Sequence, residues 1–232
     1  MQNQFTIPVS EMGVDTRAEF ITRTYTHLFG AIVLFAMLEA VYFMSGFADT
    51  AAEFVFSFGS LGWLLFLGAF ILVGTMASST AHKAESASAQ YTALIGYVVA
   101  ESLIFIPLLW VANDMAGGEM IQNAAMVTLA GFAALTGIAF FTRKDFSFLK
   151  GILFWGGVCA LILIVVGAIM GFNLGLYFSI GMVALAGGYI LYTTSNIIHY
   201  YSEDKHVAAS LELFASVALM FWYVLRIFMS RR

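Results

Sequence analysis

The chain has 232 residues, of which 61% are hydrophobic, 16% aromatic and only 10% charged, with a formal net charge of -4 and a mean hydropathy of +0.91. A water-soluble domain, roughly half apolar and a quarter charged, is excluded by that balance, and so weak a negative charge implies no nucleic acid partner. With 21 Gly and 2 Pro, the apolar runs read as close-packed helices rather than the alternating strands of an outer-membrane barrel, and the fold class is an all-α integral membrane protein.

Residues 1–26 form a polar stretch with Arg17 and Arg23 and are expected as a cytoplasmic N-terminal tail, followed by a single seven-helix transmembrane domain over residues 27–232. The first apolar run has no A-x-A-like site after it and is too long for a signal-peptide core, so it is expected to stay as a signal anchor. Seven runs are long enough to span a bilayer: His27 to Phe47, Phe54 to Ser78, Tyr91 to Ala112, Met120 to Phe141, Phe148 to Met170, Leu174 to His199 and Val207 to Met229. Their short connectors force neighbouring helices into antiparallel pairs.

Charge alternates across these connectors. Asp49 and Glu53 follow span one and Asp114 and Glu119 follow span three, whereas the loop after span five is uncharged. Arg17, Arg23, Lys83, Arg143, Lys144, Lys150 and Lys205 all fall on the opposite side, which the positive-inside rule makes cytoplasmic, together with the N-terminus. Arg231 and Arg232 run against the rule, because seven full spans place them outside. The last run also carries Glu212, Ser216 and Arg226 on one stripe with Leu219 and Tyr223, so it is expected at the centre of the bundle, with a re-entrant segment as the alternative.

Glu101 stands in the middle of span three, with an apolar half-span on either side. A carboxylate at that depth costs on the order of 3 kcal/mol and requires protonation, a hydrogen bond from a neighbour such as Tyr97, or a cation in a wet cavity. It is either an ion-pathway group or a neutral, hydrogen-bonded packing residue. Glu39 and Glu212 lie nearer span ends, where bending toward the interface suffices, and His27 reads as an interfacial histidine. Pro107 is expected to kink span three beyond Glu101. Gly167-x-x-x-Gly171 supports close packing only, and Trp63, Trp110, Trp155 and Trp222 read as interfacial anchors. Cys159 is the single cysteine, no Cys/His metal spacing occurs, and hydrolase and ATPase motifs are absent, so neither a cofactor nor an enzymatic activity is expected.

Several segments together resemble the Bax inhibitor 1 family of multi-span membrane proteins, including its bacterial YccA-like branch. They are Arg17-x-x-Phe20-x-x-Arg23-x-Tyr25, then Glu101-Ser102-Leu103, then the loop from Thr142 to Leu149, the run from Tyr189 to Ile198, and the ending from Ala208 to Arg226. The resemblance implies six helices around a central C-terminal seventh and, in characterised members, a pH-sensitive calcium leak governed by two aspartates. Those two positions are here Thr193 and Ser216. Two close carboxylates share a proton and titrate near neutrality, which hydroxyls cannot do, so weak pH dependence is expected between about pH 6 and 8 unless desolvation raises the pKa of Glu101. The basic residue that family members can place in span two is also missing, since Trp63 to Ser78 holds no Lys or Arg.

Two functions follow. One is a passive leak for calcium or another cation, lined by Glu101, Thr193, Ser216 and Glu212, whose few oxygens would hold a hard cation weakly enough to release it. The other is a binding protein without transport that, as the YccA-like branch implies, modulates a membrane protease such as FtsH through its N-terminal tail, Met1 to Arg23, which is polar and expected to be free for a partner to grip. The resemblance and the absence of a retrieval signal point to a bacterial inner membrane.

Overall fold

The computed structural model describes residues 8–84 and 86–230, and within these leaves aside the side chains at 60–63, 65–67 and 70. The expectations resting on Arg231, Arg232, the first seven residues of the tail and the side chain of Trp63 lie outside the described residues. Eight helices follow in order: α1 (Val14–Met44), α2 (Phe47–Ser57), α3 (Gly59–Lys83), α4 (Ala87–Ala116), α5 (Gly118–Thr142), α6 (Leu149–Met170), α7 (Gly175–His199) and α8 (His206–Ser230). Among the described residues there is no strand, only an isolated bridge between Pro8 and Ser202.

Six of these helices, α1 and α4 to α8, are long and apolar enough to cross a membrane. The protein is therefore a multi-pass membrane protein. From α4 onward the helix ends fall within a few residues of the expected spans, because each apolar run stops at a polar connector. Two differences stand at the N-terminal half. α1 begins at Val14 rather than His27, because residues 14–26 contain neither Gly nor Pro and the first such residue before them is Gly13. The connector expected after span one is instead α2, set off from α1 by Gly46 at φ +74° and from α3 by Phe58 and a turn at Gly59, the first residue of α3, at φ +58°. Those left-handed positions suit glycine and turn the chain sharply. α2 buries Ala48, Ala52 and Val55 and lies on α4, where Ala48 and Ala52 cluster with Ile106. Trp110 Nε1 donates to Asp49 Oδ1 at 2.8 Å, so Trp110 clasps α2 to α4.

α4 and α8 are the most buried of the spans. α8 packs on α1, α3, α4, α5 and α7, whereas α6 leans on α7 and α3. The last helix is thus central, as its polar stripe predicts. α6 and α7 interlock in an antiparallel register. The Leu185 Cδ1 methyl sits 2.7 Å from where a Gly156 Cβ would be, and the Leu153 Cδ2 methyl 2.8 Å from the position of a Gly188 Cβ. Each leucine fills a hollow that only glycine leaves open.

At one end of the bundle three connectors are tied together. Lys205 Nζ donates to Ala84 O at 2.8 Å, Gln90 Nε2 to Asp204 O at 3.1 Å, and the Tyr200 hydroxyl to Asp145. The segment before α1 is fastened there too: Val9 N–H donates to Tyr201 O at 2.8 Å and Ser10 Oγ to His199 O at 2.7 Å. Val9 is 1% exposed. Of the tail expected to be free, the described part is docked.

Candidate functional site

α4 turns a stripe comprising Leu94, Tyr97, Val98, Glu101, Ser102, Phe105 and Leu109 into the bundle, the spacing of a helix face. Glu101 lies within that stripe and is 2% exposed. Tyr97, one turn earlier and 3% exposed, lies on the same face, close enough for its hydroxyl and the Glu101 carboxyl to interact. Oε2 of Glu101 has no hydrogen-bond partner among the described residues. It borders a cavity of about 860 Å³ walled by α3, α4, α6, α7 and α8, whose polar lining is Thr75, Glu101, Asn173, Tyr189, Tyr223 and Arg226.

The depth of each group can be read from His27, whose ring lies 5.3 Å from Tyr91 and 5.2 Å from His206 and levels α1, α4 and α8. At 1.5 Å per residue, Glu101 stands about 15 Å above that level and Arg226 about 30 Å. The cavity therefore runs from mid-bundle toward the end opposite His27.

The other candidates do not line this cavity. Glu212 belongs to a separate cluster near the His27 end. Its Oε2 accepts from the Tyr201 hydroxyl at 2.6 Å, and its Oε1 lies 3.2 Å from His82 Nε2. The Tyr201 hydroxyl is also 3.3 Å from His82 Nε2. Burial, and then the Glu212 charge, push the Tyr201 hydroxyl well above its ordinary pKa. Ser216 Oγ donates to Glu212 O at 2.8 Å, a bond along its own helix. Thr193 is 3% exposed on α7, and no hydrogen bond joins it to Ser216 among the described residues. Pro107 sits inside an unbroken α4, where its missing N–H leaves Leu103 O without a helical donor.

His82 escapes sequence reasoning because Tyr201 and Glu212 lie far along the chain, and Tyr201 because only the turn before α8 folds it back onto Glu212. Glu39 departs from expectation: it is 7% exposed, and neither carboxylate oxygen has a partner among the described residues. No group of three His, Cys, Asp or Glu among the described residues is placed to hold a metal. Among the described residues the Glu101 cavity offers one carboxylate and scattered hydroxyls, fewer oxygens than a dedicated calcium site has.

Residues 17–232 match the family model described as Inhibitor of apoptosis-promoting Bax1. The chain belongs to this family. It is similar to Bax inhibitor 1 of Schizosaccharomyces pombe, at 25% identity over 96% of this chain and 80% of that protein. The BI1-like protein of Arabidopsis thaliana is 32% identical over 50% of this chain and 48% of its own length. The Escherichia coli K12 protein named Modulator of FtsH protease YccA is 31% identical over 59% of this chain and 60% of its own length. Among the described residues the most buried acid of this chain is Glu101, on α4, the helix that runs beside the central α8.

Proposed function

We propose that this member of the family is a passive cation leak, with calcium as the candidate ion and Glu101 as the acid that admits it. The carrying observation is Glu101, buried at mid-bundle with one unpartnered carboxyl oxygen, on a side chain that lines a cavity of about 860 Å³. A cation there gains one charge and a few hydroxyl or carbonyl oxygens, enough to enter and too few to be trapped. At an effective dielectric of about 20, an ion pair 4 Å apart is worth about 4 kcal/mol before desolvation. Calcium entry into liposomes is therefore expected to fall about tenfold or more in Glu101→Gln, and equal flux would remove Glu101 from the pathway. Glu212, with His82 and Tyr201, is the group proposed to close the His27 end, while Thr193 and Ser216 serve packing and lack the titration of a di-aspartyl sensor.

In this reading α3 provides the seventh span, supported by its 25 residues and its apolar sequence, and Pro107 bends α4 beyond Glu101. The distribution of Lys and Arg supports a cytoplasmic N-terminus, and likeness to the inner membrane protein YccA supports a bacterial inner membrane. The same relative's name supports a second reading, modulation of a membrane protease. Because Pro8 to Met12 are docked, such a partner would engage residues 1–7 or strip the segment away. Deleting only Met1 to Ile7 and co-purifying from membranes tests this, and an unchanged set of partners would discredit it.

A further inference from the structure

Glu39 opens onto a second cavity, of about 250 Å³, between α1, α4, α5 and α8. Phe105 separates it from the Glu101 cavity, with its ring 5.1 Å from Phe35 on one side and 5.0 Å from Trp222 on the other. We propose that this cavity is a binding site for a membrane-partitioned ammonium ion, an amine with a compact apolar body.

Four observations lead there. The Glu39 carboxyl is 7% exposed and both its oxygens lack partners among the described residues, so a charge at this place has no compensation from the protein itself. Thr128 is the only other polar side chain of the lining, and its hydroxyl is committed to Ala124 O at 2.8 Å. Calcium or another hard inorganic cation would need six or so oxygens and finds too few. The rest of the lining is aliphatic or aromatic, including Phe35, Phe214 and Phe221, which suits a hydrocarbon body and favours a cation over a neutral guest. Finally, Ala36 and Leu129 are exposed on the rim, on the flank of the bundle between α1 and α5, where lipid rather than water lies outside. Only a ligand that dissolves in the bilayer reaches such a mouth. An ammonium group would draw the Glu39 carboxylate round into the cavity and donate to its two oxygens while the body fills the apolar wall, and the volume, below that of an ordinary drug site, limits the body to a compact one.

The proposal does not depend on cation leak, because the two acids face different cavities. The test is saturation binding of 1-aminoadamantane to the full-length protein in phosphatidylcholine nanodiscs, with 1-adamantanol as the uncharged comparator. Saturable binding of the amine is expected in wild type and in Glu101→Gln. At least a tenfold loss of affinity is expected in Glu39→Gln and in Ala36→Leu, which fills the cavity while keeping the acid. The alcohol should neither bind saturably nor compete. No saturable binding by wild type, an unchanged affinity in either Glu39→Gln or Ala36→Leu, a loss in Glu101→Gln, or equal binding of the alcohol would each overturn the site.

Discussion

The interlock of α6 with α7 is open to a sharp perturbation. Replacing Gly156 with Ala places a methyl group 2.7 Å from Leu185 Cδ1, against the 3.5 to 4.0 Å of an ordinary carbon contact, so the seam must open by about 1 Å or the leucine must leave its rotamer. Overpacking of this kind costs about 1 to 3 kcal/mol. Trimming the knob as well, in Gly156→Ala with Leu185→Ala, removes the collision, and the double variant should recover at least about 1 kcal/mol relative to the sum of the two single changes. The same logic holds for Gly188 and Leu153, one turn along the same antiparallel register. The assay is unfolding in mixed micelles with increasing dodecyl sulfate, followed by far-ultraviolet circular dichroism. Strictly additive single and double variants would show that the leucines do not sit in the glycine hollows. Because α6 is one wall of the Glu101 cavity, that outcome would also undo the cavity's boundary.

Other expectations follow from contacts at the bundle ends. Asp145 is held below the ordinary carboxylate range by the Tyr200 hydroxyl and then by the Ser147 N–H. A lowered folded-state pKa gives stability that is present above the unfolded value and disappears as pH falls through the folded one. The Asp145 to Tyr200 clasp should therefore persist at pH 5 and open only in stronger acid. Titration of the Asp145 carboxyl carbon by nuclear magnetic resonance checks this, with Tyr200→Phe expected to return it toward the usual range. Trp110→Phe should release α2 from α4 at a cost of about 1 kcal/mol, visible as faster amide exchange confined to residues 47–57 with the remaining helices unchanged. Arg143 ends α5 in the left-handed region at φ +50°, so Arg143→Gly should raise the melting point by removing a penalty of about 1 kcal/mol. No change would mean the loop enforces that conformation at no cost.

The spans were legible because membrane helices need some twenty apolar residues between polar connectors, a pattern that requires no knowledge of neighbours. The central place of α8 was legible from its stripe of Glu212, Ser216 and Arg226, and the Tyr97 to Glu101 pair from helical spacing alone. α2 escaped because Asp49 and Glu53 read as loop residues, although Ala48, Ala52 and Val55 already lie on one helical face. The site was less visible. Whether Glu39 bends outward or stays within depends on what α5 and α8 place against it. The meeting of His82, Tyr201 and Glu212, like the docking of Val9 and Ser10 on the turn after α7, joins residues too distant in sequence for any local signal. Thr193 and Ser216, paired through family likeness, occupy the α7 and α8 interior without sharing the cavity at Glu101.

The most direct measurement is thiol labelling of Glu101→Cys in a Cys159→Ser background, using a bulky maleimide that cannot cross membranes, with Glu119→Cys as the exposed reference. Position 119 should label readily in intact membranes, while position 101 should stay unlabelled until dodecyl sulfate unfolds the bundle. Labelling of both positions at the same rate would place residue 101 in open water, contradicting an acid held at the centre of the helices.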